Sequence, residues 1–371
     1  MTSAAVPPAR WREGWGAVLP AFATAKAFTL VAVVLAVEHG TASVTWASLR
    51  DAFTHWDAIS YLDIAGHGYP PRLDYHDAFL PGYPLLVKAA SLLTRDLVSA
   101  GVLVSALAEL AALLFIHELV SRERDGRAAK FAVWAVALAP LGYFFSGVYT
   151  ESAFIAGTAL SLLLVRAGNM RGASLAAAFA VAMRLTGIVL LPVIAIEMAR
   201  QGRVRSDARW LALVPLPLLL FAAYMSVRSG DVLALAHAES LPSFGEAPAW
   251  PWDGLRATWA TAATATDPTN HSIFIRETVA GLLGFAVVAV AWIDARFPRS
   301  MALYCTLVWL MAVSLTFWRS VPRYDLALFP AIIVVADVTA RTPAVRPLLV
   351  AAAAALLGWG AFMFAQGQWI G

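Results

Sequence analysis

An acidic residue flanked by aromatic residues stands out from an otherwise apolar sequence. Asp57 follows Trp56, and Tyr61 comes four residues later, so the carboxyl group and the phenol share one face of a helix. A carboxylate can bind or deprotonate a sugar hydroxyl, and aromatic rings stack on the faces of sugars. These residue types therefore point to a sugar site. The alternative is an amphipathic helix at a membrane surface, with its aromatic rings in the interface and Asp57 in water.

The composition of the chain is that of an integral membrane protein. Of its 371 residues, 60% are hydrophobic and 14% are charged, against about 25% charged in soluble domains. Long apolar stretches recur along the whole sequence, which excludes an ordinary soluble enzyme with one anchor. The net charge is +3, but the basic residues collect in short loops, so no nucleic-acid partner is expected. We expect an all-α polytopic membrane protein with a single integral membrane domain over residues 1–371.

Apolar segments long enough to cross about 30 Å of hydrocarbon recur along the chain. They lie at 14–37, 97–120, 131–148, 150–166, 210–228, 273–294, 301–318, 324–340 and 347–365. With a cytoplasmic N-terminus, sixteen of the 27 lysines and arginines lie on the cytoplasmic side and nine lie outside. This bias agrees with the positive-inside rule. It predicts a multi-pass protein of the cell membrane, with segments 38–96 and 229–272 outside the cytoplasm.

Three charged residues near the middle of predicted segments each need a structural reason. Lys26 and Glu109 lie near the centres of the first two spans, and we expect them to pair. Arg184 lies in the middle of a further segment, 173–199. One straight span there would place the arginines that follow outside, whereas two short half-helices would return them to the cytoplasm. We prefer this broken hairpin, with Arg184 near its outer turn, because irregular backbone is tolerated where it lines a protein cavity.

The two long extracytoplasmic segments differ in character. Segment 38–96 alternates polar, aromatic and apolar residues, and it predicts interfacial helices at about 46–54, 56–66 and 84–94. Segment 229–272 contains four prolines and predicts mostly loop. The only cysteine, Cys305, lies in an apolar run and is expected to be a buried thiol.

Several short motifs follow one another between residues 56 and 330 in the order found in a known family. They are Trp56-Asp57-x-x-x-Tyr61-x-x-Ile64-Ala65-x-x-Gly68-Tyr69, Phe79-Leu80-Pro81-Gly82-Tyr83-Pro84-Leu85-Leu86, Tyr149-Thr150-Glu151-Ser152-Ala153-Phe154, Arg184-Leu185-Thr186-Gly187-Ile188, Pro322-Arg323-Tyr324 and Phe329-Pro330. Together they resemble the PIG-V family of polyprenyl-phosphate-mannose-dependent mannosyltransferases, in the GT-C superfamily of glycosyltransferases. The chain departs from the family pattern at Leu80, where Phe is usual, and at Gly82, where a bulkier residue is common.

The resemblance implies a fold and an activity. The fold would be a GT-C-type bundle of about 9–11 transmembrane helices, with an extracytoplasmic amphipathic-helix segment after the first span. The activity would be an inverting transfer of mannose from polyprenyl-phosphate-mannose to a glycolipid, lipoglycan or protein acceptor on the outer face of the membrane. A transporter or flippase of a polyprenyl-linked substrate and a purely structural subunit are the alternatives. The internal repeat typical of transporters is not visible in the sequence.

The resemblance also implies roles for individual residues. Because the superfamily keeps its catalytic carboxylate on the first extracytoplasmic loop, Asp57 is the expected base, with Asp63 the weaker candidate. Arg184, Arg319 and Arg323 are expected to bind the donor phosphate, the alternative being that they snorkel at the interface. The residues expected to contact substrate are His55, Trp56, Tyr61, His67, Tyr69, Tyr83 and Glu151, the last of which is expected to hold either an acceptor hydroxyl or one of the arginines. The acids near Asp57 lack a tight metal-binding spacing, so neither a metal nor another cofactor is expected.

Overall fold

A computed structural model describes residues 8–40, 43–340, 342 and 344–371, and the secondary-structure elements of this part of the chain are all helices. Short 3₁₀ turns at 75–78, 142–145, 185–189, 208–213 and 326–331 join or extend the α-helices. The α-helices are α1 (Pro8–Gly40), α2 (Trp46–Asp51), α3 (Asp57–His67), α4 (Gly82–Thr94), α5 (Leu97–Glu123), α6 (Gly126–Ala137), α7 (Glu151–Arg166), α8 (Met170–Met183), α9 (Leu190–Arg200), α10 (Val204–Asp207), α11 (Leu216–Arg228), α12 (Ala234–Glu239), α13 (Pro251–Thr264), α14 (Pro268–Ile293), α15 (Arg299–Val313), α16 (Val321–Asp325), α17 (Ile332–Ala340) and α18 (Val345–Ala365).

Within the described residues, five helical stretches are long and apolar enough to cross a membrane. They are Arg12–Gly40, Leu97–Glu123, Val204–Arg228, Pro268–Ile293 and Val345–Ala365. Met170–Met183 and Arg299–Val313 are shorter apolar helices. The all-helical prediction is confirmed, whereas the number of spans and the cytoplasmic N-terminus stay predictions.

Several predicted segments are shorter or more broken than expected, and proline accounts for two of the breaks. Segment 131–148 is not one span, because α6 ends at Ala137 just before Pro140. Segment 324–340 is interrupted by a 3₁₀ turn that contains Pro330. Proline lacks the N–H that a continuous helix requires and clashes with the preceding turn.

Two other expectations about segment structure were wrong. Segment 301–318 is helical only as far as Val313, and residues 314–320 then form an irregular loop. Segment 229–272 is not mostly loop, since it contains α12 and the whole of α13. Two of its four prolines sit at helix starts, where the missing N–H costs nothing: Pro251 begins α13 and Pro268 begins α14.

The broken hairpin is confirmed. At Arg184 the backbone is extended (φ −150°, ψ 140°), and this residue separates α8 from the turn that leads into α9. The hairpin returns to its starting side, because the Gln201 side-chain amide donates to the Val165 carbonyl at 2.9 Å, next to the end of α7. Gly187 allows the tight turn, since a Cβ there would overlap the backbone of Val181.

Helix α7 is the centre of the bundle. It lies between α5 and α8 and is buried along nearly its whole length. Small residues permit this close packing, as at Gly157, where a Cβ would lie 2.8 Å from the Phe179 ring. Because α7 begins at Glu151 and ends at Arg166, it carries a charged residue at each end of the core.

The predicted pair inside the first two long helices is also confirmed. Lys26 on α1 forms a salt bridge with Glu109 on α5. The Lys26 ammonium also donates to the Ser146 hydroxyl at 2.7 Å and to the Phe145 carbonyl at 3.1 Å. Glu109 is buried, so the ammonium group satisfies a charge that would otherwise be costly there.

Candidate active site

A cavity of about 960 Å³ opens beside α3, at the end of the bundle where α7 begins, and we call this the cavity end. Its walls come from α3, the hairpin turn at Arg184, the segment around α12, the start of α14 and the loop between α15 and α16. A volume of this size is typical of small-molecule sites. The charged side chains in the wall are Asp57, Arg184, Glu239, Glu246, Glu277, Arg319 and Arg323.

Asp57 is the first residue of α3 and faces this cavity. Helix α3 buries Ala58, Tyr61 and Ile64 against the core, which leaves the carboxyl group at the helix start turned toward the open space. The side chain of Asp57 is 25% exposed. Trp56, which precedes it, has a positive φ of 57°, an uncommon conformation for a residue other than glycine. The chain therefore turns sharply just before the carboxyl group.

Asp57 belongs to a compact cluster of alternating charges. The Arg323 guanidinium donates to Asp57 Oδ2 at 2.5 Å through one nitrogen and to Glu151 through another. Arg184 donates to the same Glu151 oxygen, and more weakly to the Thr150 hydroxyl at 3.4 Å. Two carboxylates and two guanidinium groups thus balance each other, which a buried charge cluster requires. Glu151, predicted to hold either a substrate hydroxyl or an arginine, holds two arginines.

Aromatic rings enclose the two arginines of this cluster. The Arg323 guanidinium lies 5.1 Å from the Phe144 ring centre and 4.9 Å from that of Tyr149, and its side chain is 5% exposed. Arg184 lies 4.7 Å from the ring centre of Tyr324. Cation–π contacts of this kind are strongest where water is excluded. The two guanidinium groups are therefore fixed in position rather than free to follow a ligand.

Arg319 is more exposed and less tightly held than the other two arginines. It lies in the same cavity wall but is 40% exposed. One nitrogen donates to the Phe244 carbonyl at 3.2 Å, and its closest carboxylate, that of Glu246, is 4.0 Å away. Of the three predicted arginines, Arg319 therefore retains the most hydrogen-bonding capacity for a bound anion.

The remaining predicted substrate contacts divide into two groups. Trp56 and Tyr61 line the cavity with Asp57. The others lie outside its wall: His55 is near the Ala365 carbonyl, and His67 is exposed at the far end of α3. Tyr69 donates to the Phe79 carbonyl at 2.6 Å.

Tyr83 also lies outside the cavity wall and is fully buried. Its hydroxyl donates to the Gly101 carbonyl at 3.1 Å, which ties α4 to α5. The neighbouring Gly82, where the family prefers a bulkier residue, packs directly on the backbone of Ala182, and a Cβ there would overlap it. The glycine therefore allows close contact between α4 and the end of α8.

Three acidic residues in the cavity wall were missed from the sequence. Glu239 ends α12 and Glu246 follows seven residues later, in a segment interpreted as mostly loop. Burial, followed by mutual repulsion with the other carboxylate, raises the pKa of Glu239 to about 7. Burial likewise raises the pKa of Glu246 to about 7. Glu277 lies within a predicted span, and its charge there was the signal that could have identified it.

A match to a known protein family covers part of this site. The mannosyltransferase (PIG-V) family model matches residues 19–203, about half of the chain, and this region includes Asp57, Glu151 and Arg184. The chain belongs to the PIG-V family. The resemblance seen in the motifs is therefore confirmed, and with its five apolar helices this PIG-V family member is a multi-pass membrane protein. Among curated protein sequences, none matches the chain significantly.

Solved structures show the fold of this PIG-V family member. The chain is similar to ArnT from Cupriavidus metallidurans, solved bound to undecaprenyl phosphate, with a TM-score of 0.53 and 14% sequence identity. The matched region covers 95% of this chain and 77% of ArnT. It is also similar to the Archaeoglobus fulgidus oligosaccharyltransferase, with a TM-score of 0.44 and 14% sequence identity over 93% of this chain. The chain spans about half, 53%, of that oligosaccharyltransferase. The fold is of the GT-C type.

Proposed function

We propose that the protein transfers mannose from a polyprenyl-phosphate-mannose donor to an acceptor hydroxyl, with inversion at the anomeric carbon, on the outer face of the membrane. The observation that carries the proposal is the position of Asp57. Its carboxylate is bonded to Arg323 and shares the wall of a large cavity with Arg184 and Arg319, in a chain that belongs to a mannosyltransferase family. The similarity in fold to a protein solved with undecaprenyl phosphate supports a lipid-linked donor.

The reaction has one bond to form and one to break. The acceptor oxygen attacks the anomeric carbon of mannose, and the bond from that carbon to the phosphate oxygen breaks. The phosphate leaves with the bonding electron pair as polyprenyl phosphate. Asp57 takes the proton of the acceptor hydroxyl as the new bond forms. The products are the mannosylated acceptor, polyprenyl phosphate and protonated Asp57, which returns its proton to water.

The three arginines have different parts in this reaction. Arg319 is the cation with spare donors, so it binds the donor phosphate first. Arg323 is fixed by aromatic rings and bonded to Asp57, so it holds the carboxylate in place and faces the charge that develops on the leaving phosphate. Arg184 orients Glu151, which in turn supports Arg323. Donors fixed before the reaction need no reorganisation when charge develops.

The acceptor is an alcohol of a glycolipid, a lipoglycan or a protein. Besides Asp57, the cavity wall offers further carboxyl groups, which accept hydrogen bonds from hydroxyls, and an exposed Trp56 ring for a sugar face. These groups suit a polyhydroxylated acceptor better than an apolar one.

A transfer assay tests the proposal. The full chain in lipid nanodiscs is given radiolabelled polyprenyl-phosphate-mannose and an extract of membrane acceptors, and labelled product is measured. A parallel reaction contains radiolabelled GDP-mannose without the lipid donor. We expect label in product only with the lipid donor. Label from the nucleotide sugar alone contradicts the donor, and translocation of the lipid donor across vesicles without any transfer supports the flippase alternative instead.

A further inference from the structure

The loop of residues 314–320, which we call the arginine loop, carries Arg319 and leads directly into Arg323 on α16. One anchor of this loop is the buried Trp318. Its backbone N–H donates to the Thr258 hydroxyl at 2.7 Å, and its indole N–H donates to the Val313 carbonyl at 2.9 Å. The indole packs on Gly281 so closely that a Cβ there would overlap the ring. The middle of the loop is thus held by packing.

The second anchor is Glu277, from the first half of α14. One oxygen of its carboxylate accepts the backbone N–H of Ser320 at 2.9 Å, and the other accepts that of Val321 at 2.8 Å. These two peptide groups lie between Arg319 and Arg323. Glu277 is 2% exposed, and its hydrogen bonds go to backbone rather than to a basic side chain. It therefore holds a backbone conformation instead of neutralising a charge.

The conformation that Glu277 holds is an uncommon one. Ser320 has a φ of 62°, in the left-handed region that residues other than glycine rarely adopt. Such a residue persists only where its surroundings fix it. Because Ser320 precedes α16, its conformation decides the direction in which the helix leaves the loop, and so where the Arg323 guanidinium meets Asp57 and Glu151.

We infer that Glu277 is a positioning residue for the phosphate-binding arginines, Arg319 and Arg323. This inference rests on the proposed function. Although Glu277 lines the same cavity as Asp57, it is not a second base, because both of its oxygens already accept peptide N–H groups. Asp57 is bonded to Arg323 through Oδ2. Glu277 and Asp57 therefore have different roles.

Substitution at Glu277 is expected to act through the arginines. Glu277→Ala removes both acceptors, and a displacement of the arginines by about 1 Å is expected to lower kcat/KM by about 100-fold. Glu277→Gln keeps one acceptor oxygen and turns an amide toward the other N–H, so we expect a loss of about 10-fold. This partial rescue by the conservative variant distinguishes positioning from bulk packing, since the two side chains have nearly the same volume.

The experiment measures binding and transfer separately in the full chain in nanodiscs. Binding uses undecaprenyl phosphate as the probe, and transfer uses polyprenyl-phosphate-mannose. Glu118→Gln is the matched control, since Glu118 is also buried but pairs with Arg122 on α5 and does not line the cavity. Thermal unfolding of every variant shows whether it is folded. We expect Glu277→Ala to raise the Kd for the probe and to lower kcat, with Glu118→Gln at wild-type values for both.

A double-mutant cycle completes the test. If Glu277 acts through Arg319, Glu277→Ala should weaken probe binding far less in an Arg319→Ala background than in the wild type. Equal fold-losses in both backgrounds, or wild-type binding and transfer by a folded Glu277→Ala variant, would overturn the inference. A wild-type protein that neither binds the lipid phosphate nor transfers mannose would instead overturn the proposed function, and the inference with it.

Discussion

The two ends of α7 have the same ion-pair chemistry in different surroundings. At the cavity end, Glu151 accepts from Arg184 and Arg323. Some fifteen residues further along, or about 22 Å at 1.5 Å per residue, Arg166 donates to Glu123 at 2.7 Å and contacts Glu197 at 3.4 Å. We call this the closed end. Both ends join helices through buried carboxylates shared between basic groups.

The difference lies in what surrounds each cluster. At the closed end, Glu197 is buried and its oxygens are taken by Arg200, Gln201 and Arg166. At the cavity end, the cluster includes a partly exposed Asp57 and faces a space of about 960 Å³ whose wall holds further acids and a half-exposed Arg319. Ion pairs alone thus serve to join helices. Catalysis becomes possible where such an ion pair borders an accessible cavity whose wall holds side chains that can still bind a ligand.

The largest effect is expected at Asp57, the carboxylate proposed as the base. Asp57→Asn retains the shape and a hydrogen bond to Arg323 but removes the base, and we expect transfer to fall by about 10³-fold. The measurement is the initial rate of mannose transfer per folded molecule. Asp63→Asn is the matched control, because Asp63 lies on the same helix, is 49% exposed and does not line the cavity. Equal losses in the two variants would contradict the assignment of the base.

The next effect compares the two ends directly. Glu151→Gln leaves two buried arginines without their shared anion, whereas Glu197→Gln leaves Arg166 paired with Glu123 and Arg200 largely in solvent. Glu151→Gln is expected to lower the free energy of unfolding by about 3–5 kcal/mol, and Glu197→Gln by less. Only Glu151→Gln is expected to lower transfer per folded molecule, by about 100-fold. Thermal unfolding and transfer rates measure these effects, and an equal loss of transfer in Glu197→Gln would remove the distinction between the ends.

How much of this site was predictable depends on whether the signal was local. The hairpin around Arg184 and the three short helices of segment 38–96 follow from charge position and periodicity within a short stretch. The Lys26–Glu109 pair follows from two opposite charges, each near the centre of its own predicted span. The structure has each of these features. Asp57, Arg184 and Arg323 were each selected as candidates, but their joint contact with one another through Glu151 depends on the packing of α3, α7, α8 and α16. Sequence spacing does not specify that packing.

The other acids of the cavity wall could not be predicted to lie near Asp57, for a related reason. Glu239 and Glu246 lie in a segment whose four prolines suggested loop, although two of those prolines begin helices. The role of Glu277 is to bind the backbone of a segment more than forty residues away, and neither partner has a recognisable side-chain pattern. Contacts from side chain to distant backbone leave no periodic signal in a sequence.

A smaller effect is expected from replacing Arg319, the least tightly held of the three arginines. Arg319→Ala should raise the KM for the lipid donor by about 10-fold, the weight of one charge-assisted hydrogen bond, with kcat changed less. Arg256→Ala is the control, since Arg256 is an exposed arginine of α13 whose partner is Asp253 and it does not line the cavity. Steady-state kinetics with varied donor measure both. An unchanged donor KM with a large loss in kcat would place Arg319 in the transition state instead.

The smallest effect is one of pH. Glu239 and Glu246, each with a pKa raised to about 7 mainly by burial, gain negative charge as pH rises from 6 to 8. That charge repels a phosphodiester entering beside Arg319, so the donor KM should rise a few-fold, by about the 5-fold that 1 kcal/mol represents. The double variant Glu239→Gln/Glu246→Gln should show a shallower profile. A profile that keeps its slope in the double variant would assign the titration to other groups.

The raised pKa values of Glu239 and Glu246 also determine whether the free energy of unfolding rises or falls with pH. Between the ordinary glutamate value of 4.5 and about 7, the folded state retains protons that the unfolded state has lost. The free energy of unfolding therefore falls as pH rises through this window, and the double variant should lose less stability than the wild type. Thermal unfolding at pH 5 and pH 8 measures this difference.

The most direct test of the central claim is an experimental structure of the chain with undecaprenyl phosphate. We expect the phosphate group to lie in the cavity within hydrogen-bonding distance of Arg319, with room for a sugar between it and the Asp57 carboxylate. A lipid phosphate bound at the closed end, or one separated from Asp57 by a wall of protein, would contradict the account.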